Sequence, residues 1–179
     1  MRQKRKYGTA LAAMLLAAIC LPGCGKKHSA TDEAELAKAH AEMIARESVR
    51  QDNADAKALW KAVNDAVPDY MAWGGGSLSQ INGDYVFAGS DFAEADGNSL
   101  NPKEKLLYLI QQHDDLHELP QAAFRLENGR CVYAAVQNLD VYGTYPEALS
   151  AEDLPYLDSM QEAADYAKNG MNSRIQQSK

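Results

Sequence analysis

Ala123-Phe124-Arg125-Leu126-Glu127-Asn128-Gly129-Arg130-Cys131-Val132-Tyr133-Ala134 is the stretch whose reading decides the fold. Asn-Gly suits a type I′ turn, because both central residues of that turn take positive φ. Folding the stretch about Asn128-Gly129 sets Glu127 opposite Arg130, Leu126 opposite Cys131 and Phe124 opposite Tyr133. A charge pair at the turn, followed by apolar pairs, is the pattern of an antiparallel hairpin with one buried face. The alternation places Cys131 on the face shared with Leu126, Phe124 and Tyr133. The same reading applied to Asn82-Gly83 predicts another hairpin, with residues 78 to 81 and 84 to 88 as its arms. Residues 139 to 145 are expected to add a further strand.

Helices fill the rest of the chain. Asn101 as N-cap, Pro102 in the first turn and Glu104 start one of them. Leu106, Ile110, His113 and His117 share a face of it, and Pro120 stops it. A last helix is expected from about Ser150 or Asp153 to Asn169, with Leu154, Leu157, Met160 and Ala164 inward and Gly170 after its end. Upstream, residues 32 to 50 are rich in Ala, Glu, Lys and Arg, with a thin stripe of Leu36, Met43 and Ile44. Such a helix serves either as a stalk or as a surface helix. Asn53 or Asp55 starts a second helix with Leu59, Trp60, Val63 and Val67 on one face, and Pro68 ends it. Gly74-Gly75-Gly76 then reads as a hinge. Hairpins without parallel crossovers imply an antiparallel sheet. The expected class is α+β: N-terminal helices, two antiparallel hairpins forming one sheet, and helices packed on it.

The start of the chain has a different character. Arg2, Lys4, Arg5 and Lys6 precede an apolar run over residues 9 to 21, and Leu21-Pro22-Gly23-Cys24 follows. The run has the length of an export signal and is shorter than the roughly 20 apolar residues that span a bilayer. The four residues resemble a lipobox, the cleavage and acylation site of bacterial lipoproteins. Pro22 departs from the commoner Ala, Ser or Thr. The resemblance covers residues 1 to 24 and names a class of export signal, with no more specific family. It implies that residues 1 to 23 are a signal peptide and that the Cys24 thiol is alkylated with diacylglycerol. A further acyl chain such as palmitate can be added at the new amino group. Several chains together anchor durably, since each buried methylene contributes about 0.8 kcal/mol. Gly25 rather than Asp after the lipidated Cys24 implies the periplasmic face of the outer membrane. Residues 24 to 30 are then the lipidated Cys and tether, 31 to 170 a single α+β domain with an N-terminal helical segment, and 171 to 179 a flexible tail.

Charge and cysteine content restrict function further. The 18 basic residues include four in the leader, whereas all 25 acidic residues follow it. Removing residues 1 to 23 therefore takes the net charge from −7 to −11. That balance opposes nucleic-acid binding and a polybasic grip on anionic lipid. With Cys20 removed and Cys24 acylated, Cys131 stands alone, so no intramolecular disulfide is expected.

One constellation bears on chemistry: His113-Asp114-Asp115-Leu116-His117-Glu118. Histidines four apart on a helix can chelate a divalent metal, but a catalytic zinc needs a third protein ligand and HExxH is absent. The other mature histidines, His28 and His40, lie near the tether. His113 and His117 are thus weak metal candidates, and no metal or cofactor is expected. Cys131 as a thiol nucleophile would need an accessible, electropositive setting, and a buried strand position argues instead for packing. No Gly-x-Ser-x-Gly is present. The expectation is a lipid-anchored envelope protein, held in the membrane through Cys24, that acts as a non-enzymatic binding or assembly module for an envelope protein partner. Tyr133, Tyr142, Tyr145 and Tyr156 are its candidate interface anchors. The alternative is a small metal-binding protein or hydrolase using His113 and His117.

Overall fold

A computed structural model describes residues 30–74, 76–113, 121–139, 141–154 and 157–169. Its centre is one antiparallel sheet in the order β1 (Gly83–Ala88), β2 (Gln121–Glu127), β3 (Arg130–Asn138) and β4 (Val141–Tyr145). The class is α+β, with helices on both faces of this sheet.

The β2–β3 turn forms where the Asn-Gly pair places it. Asn128 has φ 52° and Gly129 φ 75°, the positive values that a type I′ turn requires. Glu127 pairs with Arg130 and Leu126 with Cys131. Beyond them the register shifts, so that Arg125 pairs with Tyr133 and Phe124 with Ala134. The expected Phe124–Tyr133 pair is not formed, because a β-bulge adds one residue to β3. A one-residue shift sends every later side chain to the other face. Cys131 therefore packs with Phe124 and Leu126 on one face, whereas Tyr133 lies on the opposite face with Ala123 and Ala135. The backbone at the bulge is held from a helix. Trp60 Nε1 donates to the Cys131 carbonyl at 2.7 Å, and Asn64 Oδ1 accepts from the Cys131 N–H at 3.1 Å.

The hairpin expected at Asn82-Gly83 does not form. Residues Leu78–Gln80 make a 3₁₀ turn, capped by the Ser77 side chain with Gln80 returning the bond. Leu78 and Ile81 are three apart, which fits three residues per turn and not the two-residue period of a strand. Gly83 opens β1 directly, and β1 pairs with the distant β2.

The two N-terminal helices expected are one, α1 (Ala30–Ala72), with Pro68 inside it. Proline lacks the N–H and crowds the carbonyl four residues back. Here it falls in the final turns, and Gly74 with φ 68° follows the helix. The capping residue Asn53 makes no helix start because its carboxamide bonds across to Thr144 and Leu149. The compact unit runs over Ala39–Lys179. Of the other unit, Met1–Lys38, the helical residues 30 to 38 are described.

On one face of the sheet Leu59, Val63, Val67 and Tyr70 of α1 meet Leu106 and Ile110 of α3 (Pro102–His113) over Phe124, Leu126 and Val136. The short α2 (Gly89–Glu94) lies between β1 and α3 in the chain. On the other face α4 (Met160–Asn169) lays Met160, Ala163, Ala164 and Ala167 against Ala123, Tyr133, Ala135 and Tyr142. Its start is later than expected. Asp153 is consumed in a turn, accepting from Ser150 N at 2.9 Å and Ser150 Oγ at 2.8 Å. Ser159 Oγ instead caps α4 by accepting from Glu162 N. The expected signal peptide, Cys24 with its tether, and the tail 171 to 179 lie outside the described residues.

Candidate binding groove

The C-terminal end of α1 and the side of α3 border a shallow, open groove of about 460 Å³ lined by Asp69, Ala72, Trp73, Tyr108, Leu109 and Gln112. Its position follows from the core. Tyr70 and Leu106 are fully buried, which turns Asp69, Trp73 and Tyr108 toward the rim. Trp73 is 48% exposed. Its ring centroid lies 5.8 Å from that of Tyr108 at 37°. Lys105 Nζ stands 4.9 Å from the Trp73 ring centre and donates to the Trp73 carbonyl at 3.4 Å. Gly97 packs under both rings: a Cβ there would lie 2.7 Å from Tyr108 and 2.9 Å from Trp73.

His113 closes α3, and its Nε2 lies 2.8 Å from Asp69 Oδ2. One turn back along α1, the Lys61 ammonium bonds Asp65 and, with the nearby His113, holds its carboxyl below the usual range. His117, Asp114, Asp115, Glu118 and Tyr156 lie outside the described residues. His40 is exposed on α1. Among the described residues, no three His, Cys, Asp or Glu side chains gather as a metal-ligand set.

Cys131 is 5% exposed. Burial pushes its thiol well above the ordinary range, and its Sγ donates to the Tyr133 carbonyl at 3.2 Å. The thiolate that nucleophilic chemistry needs is therefore disfavoured. Two of the candidate anchors, Tyr133 and Tyr142, are core residues, 5% and 7% exposed. Tyr133 also donates to Asp84 at 3.1 Å. Burial opposes charge on Asp84, but hydrogen bonds from Arg125 (2.6 Å) and Tyr133 outweigh it and hold the carboxyl low. Tyr145 packs half-buried on Trp60, ring centroids 5.1 Å apart. An aromatic pair at the surface, the half-exposed Trp73 with the partly exposed Tyr108, is absent from the sequence reading. The one available signal was a tryptophan at a glycine-rich break just after a helix, where core packing ends.

Compared with protein-family models, curated proteins and solved structures, the chain finds no match.

Proposed function

We propose that the protein is a lipid-anchored protein of the bacterial envelope, held through Cys24 at the periplasmic face of the outer membrane, whose α+β domain is a non-enzymatic binding or assembly module. The observation that carries this reading is Leu21-Pro22-Gly23-Cys24 behind a basic and then apolar leader. The half-exposed Trp73 beside Tyr108 is the candidate contact face, since aromatic side chains at a rim supply contact area at low entropic cost. The buried Cys131 thiol also favours binding over thiol catalysis. The test is fractionation of cells expressing Cys24→Ala. The variant, with no thiol to accept lipid, is expected as an unprocessed or soluble form, and mature Cys24→Ala protein that still partitions with membrane lipid refutes the reading.

One observation favours a second reading, a metal-binding protein or hydrolase. Asp69 lies within hydrogen-bonding distance of His113 Nε2, the kind of carboxylate partner that orients a working imidazole. Zinc titration separates the two readings. The binding-module reading expects weak binding only, because two histidines fall short of the three protein ligands of a catalytic site. Tight binding lost in a His113→Ala, His117→Ala double variant would establish the second.

A further inference from the structure

Asp52 is 3% exposed, on the side of α1 that meets the edge strand β4. The approach there is backbone to backbone. A Cβ on Gly143 would lie 1.9 Å from the Asp52 carbonyl carbon, 2.0 Å from its oxygen and 2.4 Å from Asn53 N. Only glycine admits such an approach. Asn53 fastens it: Oδ1 accepts from Thr144 N at 2.9 Å and Leu149 N at 3.2 Å, and Nδ2 donates to the Leu149 carbonyl at 2.8 Å. β4 ends the sheet, so these bonds cover an edge that would otherwise be open.

Inside this contact Asp52 Oδ2 has no hydrogen-bond partner among the described residues. Among the described residues two groups act on the carboxyl: Asn138 of β3 offers its side chain, and Asp55, one turn along α1, a like charge, while Gly143 of β4 packs on the main chain of the same residue. Asp140, between β3 and β4 in the chain, lies outside the described residues. Neither brings a positive charge. A buried carboxyl so placed resists ionisation. Burial first, then Asp55, raises Asp52 from 3.8 to about 7 against the Asn138 hydrogen bond.

We propose that the contact of α1 with β4 is a pH-sensitive latch, shut while Asp52 holds its proton and loosened when Asp52 gives that proton to solvent. The opened state exposes the Asp52 carboxyl to water, where it ionises like any other. The shut state therefore binds more protons between about pH 4 and pH 7, and opening becomes easier as pH rises through that window. Above it both states are ionised and the dependence ends. The latch goes beyond the binding role and does not rest on it.

Hydrogen exchange on the whole protein, corrected for intrinsic chemistry, tests this at the Thr144 and Leu149 amides. Protection there should fall at least tenfold from pH 5 to pH 7 and level off by pH 8. Both amides should exchange faster than that of Phe124 in the central strand β2, as a local opening requires. Asp52→Asn should abolish the fall. Asp55→Asn keeps Asp52 but removes the like charge, and should move the onset of the plateau to lower pH. The latch is overturned if protection is flat with pH, if Asp52→Asn shows the same fall, or if Thr144 and Leu149 exchange no faster than Phe124.

Discussion

Cys131 illustrates how far a single residue is decided by its surroundings. Its strand position and small apolar side chain suggest a packed thiol, and the structure buries it with Phe124 and Leu126. Burial keeps the thiol protonated. Cys131→Ala removes one sulfur from that contact and should cost about 1 kcal/mol in denaturant unfolding. The backbone bonds from Trp60 and Asn64 are unaffected, since they go to main-chain atoms. A thiol reagent should label the native protein only at the rate of unfolding. Rapid labelling would show an accessible thiol and reopen the question of its chemistry.

At the scale of elements, polar side chains of α1 do what sequence patterns assign to apolar ones. Trp60 and Asn64 bond the main chain at the β3 bulge, and Asn53 bonds three main-chain groups at and just after β4. Asn53→Ala leaves two N–H donors and one carbonyl short of a partner in a part-buried place. The expected loss is roughly 2–4 kcal/mol of stability. It should be larger than that of Gln51→Ala, whose amide donates to the Asp55 carboxylate at 3.0 Å in an exposed setting. Equal losses measured by thermal unfolding would show that the Asn53 bonds do not hold the helix to the sheet edge. The sheet has an edge of a different kind at β1. Its outward Ala88 N–H donates to Asp91 Oδ2 at 2.8 Å, and Val86 is 61% exposed. One edge is thus met by a long helix, and at the other a local carboxylate takes the Ala88 N–H.

Over the whole molecule, charge is the quantity least tied to any contact. From Cys24 onward the chain carries a net −11. Most side chains in its described ion pairs are exposed, as in Arg50 with Glu47, and pairs of that kind add little stability. Self-repulsion of the remaining carboxylates opposes the compact state. Raising salt from about 10 mM to 150 mM shortens the Debye length from roughly 30 Å to 8 Å. The melting temperature of the chain from Cys24 onward should rise over that interval. A fall would mean that specific ion pairs outweigh the repulsion.

Local chemistry was readable from the sequence where it acts over a few residues. Asn128-Gly129 takes the positive φ that an Asn-Gly pair favours, and the flanking Glu127–Arg130 and Leu126–Cys131 pairs form as their sequence suggests. The Asn101 cap of α3 is equally local: its Oδ1 accepts from Lys103 N at 3.0 Å. Helix periodicity likewise identified Leu59, Val63, Leu106 and Ile110 as core. Features that depend on a distant partner were not readable. The bulge that sends Cys131 and Tyr133 to opposite faces is stabilised by Trp60 and Asn64, some seventy residues earlier. Asn53 and Asp153 have the chemistry of helix caps, but their hydrogen bonds go to Leu149 and Ser150. Asn82-Gly83 has the chemistry of a hairpin turn, yet the strand it opens joins β2. The groove of Trp73 and Tyr108 exists only because α1 and α3 pack side by side. A side chain's propensity is a property of the residue, whereas its hydrogen-bond partner and burial belong to the packed chain, and only the tertiary structure decides between competing uses of the same group.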